Sequence, residues 1–512
     1  MSHSSTQRFD YFASERRSCG ILLHVTSLPT PFGIGDMGPA AERWVDRLAG
    51  AGQSWWQILP LGPTGVGNSP YEPLSTFAGN LLLLSPERLT EDGLVDAGEW
   101  QHVSMPDGPV QFDQVREFKL HIFQLAWEKF QQQPSEALAR DFAAFSETHN
   151  FWLQDYSLFR ALKDRFGPAS YLTWPHEILT RDPGVIAQAA AELSANMNRH
   201  RFGQFLFFRQ WTRLRQYAAD RKVRLIGDLP FFVSPDSSDV WANPQLFLLG
   251  EDRRPRFIAG VPPDYFSAFG QLWGNPIYDW EALRGTGYRW WIERLKSLLE
   301  HVDLVRLDHF RAFESAWHVE AGAPTAQVGE WRPGPGADLF ECLRRELGGL
   351  PFVAEDLGMI TDEVRSLRDQ FHLPGMRVLQ FAFDGDPTNP FLPHNYDTNC
   401  LACTGTHDNN TTRGWYENLS EHERENVWRS LETNELPADQ VAPDFLRRVW
   451  QSAASVTIAP FQDIANLSTD ARMNVPGQAE GNWNWRIPAD HSCDGCFDEL
   501  RRLTESSRRI AQ

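Results

Sequence analysis

The chain has little of what several classes of protein depend on. No apolar run reaches the roughly 20 residues a membrane helix needs. Residues 1–12 are polar and aromatic, with no apolar signal core, so the sequence predicts a cytoplasmic protein without a secretory leader and without a membrane partner. Positive charge is in deficit: 48 Lys and Arg stand against 67 Asp and Glu, a net charge of −19. Nucleic acids and anionic lipids are held by cations that neutralise phosphates, so no nucleic acid is expected as a partner. Cysteine is scarce, at 6 residues. Cys400/Cys403 and Cys493/Cys496 have the C-x-x-C spacing of a zinc site. However, 400–404 reads as a strand, where residues three apart face opposite sides, and buried free thiols in a reducing compartment are the alternative. After the first apparent strand, Leu28-Pro29-Thr30-Pro31-Phe32-Gly33 resembles no nucleotide-binding fingerprint. The Gly-x-Ser-x-Gly elbow of a serine hydrolase is also missing.

What is present is a large chain of 512 residues, 42% hydrophobic and 22% charged, the balance of a globular protein. Its 20 tryptophans fit either a large aromatic core or flat faces on which a sugar could lie. Apolar strands with polar ends recur at 21–27, 55–61, 224–233, 304–310, 352–356, 377–383, 401–407 and 457–462, alternating with helical stretches. Continuous apolar strands of this kind belong to a parallel sheet covered on both faces, and eight such units predict an α/β fold, a (β/α)8 TIM barrel. The spacing is uneven. The reading is one catalytic barrel domain over 1–512 with a mostly helical inserted subdomain at 62–201, an aromatic lid or acceptor-loop insertion at 234–288, and a smaller loop insertion at 312–337. Long loops at the C-terminal ends of barrel strands are where this fold builds its sites.

Three of the strands run apolar and stop on a carboxylate. They end in Val305-Arg306-Leu307-Asp308, Phe352-Val353-Ala354-Glu355 and Thr404-Gly405-Thr406-His407-Asp408. Residues two apart share a face, so Arg306 and Asp308 should point into the barrel while Val305 and Leu307 point out. A guanidinium beside a carboxylate favours its ionised form, as a nucleophile requires; a structural ion pair is the plain alternative. Glu355 in an apolar setting should hold its proton, as a general acid must, unless it serves the helix start that follows. Asp356 falls on the opposite face. His407 could donate to a sugar hydroxyl or be a buried, satisfied histidine. Asp228, Asp308, Glu355, His407 and Asp408 could also ligate a divalent ion, but Arg306 on the same face would repel it. Two facing carboxyl groups are what cleavage of a glycosidic bond needs.

These segments resemble the signature blocks of the 4-α-glucanotransferases, also called amylomaltases or disproportionating enzymes. The resemblance rests on Arg306-Leu307-Asp308-His309-Phe310-Arg311, Ala354-Glu355-Asp356-Leu357-Gly358 and Gly405-Thr406-His407-Asp408-Asn409. It is extended, in order, by Asn68-Ser69-Pro70-Tyr71, Gly227-Asp228-Leu229-Pro230, Gly260-Val261-Pro262-Pro263-Asp264-Tyr265-Phe266, Leu272-Trp273-Gly274-Asn275-Pro276 and Gly481-Asn482-Trp483-Asn484-Trp485-Arg486. It implies a barrel related to the α-amylases but without their C-terminal β-sandwich. It implies retaining double-displacement transfer of α-1,4-glucan segments from a donor oligosaccharide to the 4-hydroxyl of an acceptor glucan or glucose, with an α-amylase-like hydrolase as the alternative. The expected partners are maltooligosaccharides, starch- or glycogen-derived α-glucans and glucose, with no metal or organic cofactor. By motif position Asp308 would be the nucleophile, Glu355 the acid/base and Asp408 the transition-state stabiliser. Tyr71, Asp228, Arg306, His309, His407 and Asn484 would line the substrate, and Tyr265, Phe266 and Trp273 would form the lid and acceptor side. One departure is Pro230-Phe231-Phe232-Val233, where an Ile-Tyr pair is common in the family.

Overall fold

The computed structural model describes residues 11–12, 17–263, 268–489 and 493–510. Its strands are β1 (Ser18–Leu22), β2 (Trp55–Gln57), β3 (Arg224–Leu229), β4 (Phe257–Val261), β5 (Gln271–Pro276), β6 (Leu304–Leu307), β7 (Ser315–Glu320), β8 (Glu330–Pro333), β9 (Phe352–Ala354), β10 (Gly375–Val378), β11 (Cys400–Cys403) and β12 (Val456–Pro460). Eight of them close into a barrel in the order β1-β12-β11-β10-β9-β6-β3-β2, all in parallel pairs. The predicted (β/α)8 architecture is therefore the observed one.

Strand alternation sorts the side chains into two packed layers. Leu22, Trp55, Ile226, Leu304, Val353, Met376, Leu401 and Val456 form a cluster to which every barrel strand contributes, and this is the barrel interior. Val305, Leu307, Phe352, Ala354, Cys400 and Ala402 join the larger cluster against the helices. The parity places Arg306 and Glu355 inward, as expected. Gly20 is required where β1 meets β2, because a Cβ there would sit 2.2 Å from the Trp55 carbonyl oxygen. Trp55, Trp56, Trp211, Trp241, Trp291 and Trp450 are fully buried, so much of the tryptophan content is core.

The barrel strands are shorter than the apolar runs suggest. The excess residues pack as loops over the barrel mouth, as Leu59 does in the inner cluster. The segment read as a strand at 377–383 begins two residues earlier, at Gly375, and turns into a 3₁₀ helix over Leu379–Phe381. The excursions at 234–288 and 312–337, read as loop insertions, contain strands that pair with each other. They form a four-stranded sheet in the order β5-β4-β7-β8, antiparallel throughout. The sequence hides this sheet because its central pair, β4 with β7, lies on either side of β6. The helical excursion runs past position 201, since one helix spans Ser194–Asp220 and leads into β3.

Cys400 and Cys403 are buried free thiols, and they lie in the outer and inner cluster respectively, which separates their sulfurs as the alternation requires. Cys493 and Cys496, expected as thiols or zinc ligands, are joined as a disulfide at the start of the helix Asp494–Ser506. No helix among the described residues is long and apolar enough to cross a membrane.

Candidate active site

The register of three adjacent strands builds the site. Asp228 pairs with Arg306 across β3 and β6, and Arg306 pairs with Val353 across β6 and β9. Asp308 and Glu355 each follow immediately after a strand's last residue, anchored by Asp308 N–H to the Leu229 carbonyl at 3.1 Å and Glu355 N–H to the Leu307 carbonyl at 3.1 Å. A single guanidinium nitrogen links the carboxylates. Arg306 Nη1 lies 2.9 Å from both oxygens of Asp228 and 2.8 Å from Asp308 Oδ1. Burial works against the Arg306 charge, but Asp228 and Asp308 outweigh it and hold the guanidinium well above its usual range. Tyr71 donates its hydroxyl to Asp228 Oδ2 at 2.9 Å. Burial first, and Asp228 second, push that phenol well above its ordinary value, so it remains a donor.

After Asp308 the chain turns sharply. His309 takes a left-handed conformation at φ 49°, uncommon for a residue with a side chain and a mark of local strain at a site. The turn aims its N–H at Glu355 Oε2, 2.7 Å away. It also seats the imidazole edge-on to Trp273, with centroids 4.8 Å apart. Burial pushes the His309 imidazole down to about 4, so the ring is neutral. Glu355 is pushed up to about 8, by burial first and by the Asp308 charge, against the opposing pull of Arg306 and the His309 N–H. A carboxyl group that keeps its proton at neutral pH thus sits beside a carboxylate bonded to arginine, the division of labour that acid-assisted displacement at carbon uses.

Asp408 approaches from β11. Its Oδ2 is 3.2 Å from His407 Nε2, and its Oδ1 accepts from Asn474 Nδ2 at 2.6 Å. Burial raises this carboxyl, but the His407 charge and hydrogen bond, the Asn474 bond and Arg306 together bring it below the usual carboxylate range. Arg472 fixes the same loop by donating to the Asp408 carbonyl at 2.7 Å. Tyr71 stacks on His407 with centroids 5.0 Å apart, and Trp483 leans on both rings. Asp463, fully buried, accepts from Thr412 N–H at 2.7 Å and from the Thr404 hydroxyl, tying together the two ends of the His407-Asp408 loop.

The structure therefore gathers Tyr71, Asp228, Arg306, Asp308, His309, Glu355, His407 and Asp408 at one end of the barrel, with Trp273 against His309. Asn484 enters through its carbonyl, which accepts from Val110 N–H at 2.7 Å; its neighbour Trp483 supplies the ring. Tyr265 and Phe266 lie outside the described residues. Asp356 is structural: it pairs with Arg368 and accepts from Met376 N–H at 2.7 Å. Sequence reasoning missed Arg472, Asn474 and Trp483. The available clue was position, a loop directly after the last barrel strand and hence at the site end.

A profile of the family described as 4-alpha-glucanotransferase matches residues 23–491. A 4-alpha-glucanotransferase of Synechocystis is 46% identical over 501 residues, covering 97% of this chain and 99% of that protein. One from Thermus thermophilus is 42% identical over 499 residues, covering 96% and 99%. The solved amylomaltase from Streptococcus agalactiae in complex with acarbose superposes with a TM-score of 0.92 at 35% identity, covering 97% of this chain and all of that one, at 100%.

Proposed function

We propose, from the premise that this chain belongs to the 4-alpha-glucanotransferase family and carries its glucan-transfer activity, that transfer proceeds by retaining double displacement at the Arg306-centred site. Asp308 attacks the anomeric carbon of the donor glucan. Glu355, protonated, gives its proton to the departing glycosidic oxygen, and a covalent glucosyl-enzyme forms. Glu355 then takes the proton of the incoming acceptor 4-hydroxyl, which attacks the same carbon and restores the original configuration. Asp408, ionised beside His407 and Asn474, holds sugar hydroxyls and stabilises positive charge developing on the ring. Arg306 keeps Asp308 in its attacking position. The observation that carries this reading is the juxtaposition of Asp308 on Arg306 with Glu355 held near 8.

Trp273 against His309, together with the aromatic lid to which the sequence assigns Tyr265 and Phe266, supports a sugar rather than a water as the acceptor. Maltooligosaccharides are the expected donors and a glucan or glucose the acceptor. We also read the enzyme as cytoplasmic: the buried cysteines Cys19, Cys400 and Cys403 are free thiols, and the Cys493–Cys496 disulfide is the exception to that pattern. Incubation with maltotriose tests the function. A ladder of shorter and longer oligosaccharides with little gain in reducing ends is expected; a steady rise in reducing ends would make the protein a hydrolase. Asp308→Asn should lower kcat by roughly four orders of magnitude with the thermal midpoint preserved, and retained activity would overturn the nucleophile assignment.

A further inference from the structure

Three successive residues after Asp308 reach across to the segment that carries Glu355. His309 N–H donates to Glu355 Oε2 at 2.7 Å, Phe310 N–H to the Glu355 carbonyl at 3.1 Å, and Arg311 Nη1 to the Met359 carbonyl at 2.5 Å. Among the described residues, that last carbonyl is the only main-chain group of 356–360 in a hydrogen bond. Arg311 is 8% exposed, yet it forms no ion pair with a described carboxylate, and its Nε has no hydrogen-bond partner among the described residues. A buried cation so poorly satisfied costs stability, so its place calls for another reason. Trp331 covers it: the guanidinium carbon lies 3.8 Å from the centre of that ring, the planar stacking that distinguishes arginine from lysine. Trp331 belongs to β8, in the insertion at 312–337, which the glucan-transfer mechanism leaves unused. Trp317 on β7 braces it edge-on, with centroids 5.4 Å apart. The end of β8 is docked on the same turn. Gly334 N–H donates to the Glu314 carbonyl at 2.7 Å, and a Cβ on Gly334 would lie 2.4 Å from the Ala312 carbonyl oxygen.

We propose that Arg311, seated on Trp331, is a positioning residue for Glu355: it clasps the turn after β6 to the loop after β9 and so keeps the His309 N–H on the acid/base carboxyl. His309 is held left-handed at φ 49°, and a strained conformation persists only where its surroundings over-determine it. Trp273 on β5 meets the His309 ring, and Trp331 on β8 meets the Arg311 guanidinium, so the four-stranded sheet grips the turn at both ends. The Asp356 side chain ties the Glu355 loop to β10; Arg311 ties it to the turn. Releasing Arg311 lets His309 relax and Glu355 move off the leaving oxygen, while Asp308 stays on Arg306 and the Leu229 carbonyl. A misplacement of about 1 Å is enough to slow a reaction about 10²-fold.

The inference rests on the reading of Glu355 as the acid/base, and its test separates the two. First-turnover release of the leaving sugar from maltotriose needs Asp308 and a proton from Glu355. First-turnover release of fluoride from α-maltosyl fluoride needs Asp308 but little acid, because fluoride departs unprotonated. Glu355→Gln is expected to lose the first and keep the second. Arg311→Met and Trp331→Leu should follow the same pattern in weaker form. Sugar release slows about tenfold to a hundredfold in Arg311→Met and about threefold to tenfold in Trp331→Leu, with fluoride release within about twofold of the wild type. A merely structural role would slow both donors alike. Equal slowing of both donors in either variant, or slowing of neither, overturns the proposal. If Arg311→Met does not fold, Trp331→Leu, which alters a half-buried ring, decides alone. Equal loss of both donors in Glu355→Gln would instead sink the acid/base assignment, and the proposal with it.

Discussion

Two arginines are buried at opposite ends of the barrel, and they are used in opposite ways. Arg306, at the C-terminal end of β6, faces the carboxylates of Asp228 and Asp308. Arg509, fully buried beneath β1 and β12, faces only carbonyls: it donates to Trp450 at 2.6 Å, Ser18 at 3.1 Å, Ser452 at 3.1 Å and Ser455 at 3.4 Å. Arg17 joins it there, donating to Trp450 and Ser507. The electrostatics diverge accordingly. Arg306 is held well above the ordinary arginine value, whereas Arg509 is pushed down to about 9, by burial first and by Arg17 second, which still leaves it charged at neutral pH. Neutral acceptors satisfy a guanidinium and lock chain ends together; charged acceptors leave reactive oxygens poised at an open mouth. Charge concentrated at the C-terminal end of barrel strands serves chemistry, while at the N-terminal end it serves stability.

The sharpest test of that contrast is to remove each cation in turn. Arg306→Met leaves Asp228 buried without its partner and Asp308 without its anchor. Breaking a buried pair costs about 3–5 kcal/mol of stability, and a nucleophile freed from its anchor is misplaced, so kcat/KM on maltotriose should fall by about 10²-fold or more. Arg509→Met should do the reverse. Several carbonyls lose their donor, and a loss of about 2–4 kcal/mol is expected, read as a lowered thermal midpoint, with kcat per folded molecule unchanged. If Arg509→Met lowered kcat at a temperature where the protein remains folded, or Arg306→Met lowered only the thermal midpoint, the division between the two ends would be wrong.

The two ends also differ in how legible they were. The mouth could be read because its charges interrupt apolar strands: Asp228, Arg306, Asp308, Glu355 and His407 announce themselves against the Val, Leu and Ile around them. Eight strands follow from the same runs, though their ends do not, since an apolar loop packed over a barrel has the composition of a strand. The base was silent. Arg17 and Arg509 sit in polar terminal stretches, Arg-Arg and Ser-Arg-Arg, indistinguishable in sequence from solvated surface, and only the fold brings the two chain ends together. The β5-β4-β7-β8 sheet was silent for a related reason, because its central pairing, β4 with β7, spans β6 and no local turn encodes it. Asn474 and Arg472 show the same limit at the mouth, where a long loop returns to hold Asp408.

A pH titration adds a second, finer difference. Glu355 at the mouth has its pKa raised from 4.5 to about 8. The folded state therefore favours the protonated form: its contribution to stability is complete below about 4.5 and is lost as pH rises through about 8. Activity should follow the same proton, with kcat/KM falling above about pH 8 as the general acid is lost. Glu355→Gln mimics the protonated group and should lose activity at every pH, but its thermal midpoint should gain on that of the wild type as pH climbs from 4.5 to 8. A wild type and a Glu355→Gln variant whose midpoints ran parallel through that window would show that Glu355 is not held protonated by its surroundings.

The smallest effect is expected from the Cys493–Cys496 disulfide, at the start of the helix whose far end reaches the base. It closes a loop with a sequence separation of only 3, and the entropy removed from an unfolded chain grows with the length of the loop closed, so so short a loop contributes less than about 2 kcal/mol. The helix it opens is held by other means. Phe497 packs between Trp44 and Phe461, with centroids 5.7 Å and 6.2 Å away, and Thr504 accepts from Gln53 Nε2 at 2.9 Å. Reduction, or Cys493→Ser with Cys496→Ser, should therefore shift the thermal midpoint far less than Arg509→Met and leave kcat untouched. A midpoint drop as large as that of Arg509→Met would move the anchor of the barrel base from the guanidinium–carbonyl cluster to the start of the final helix.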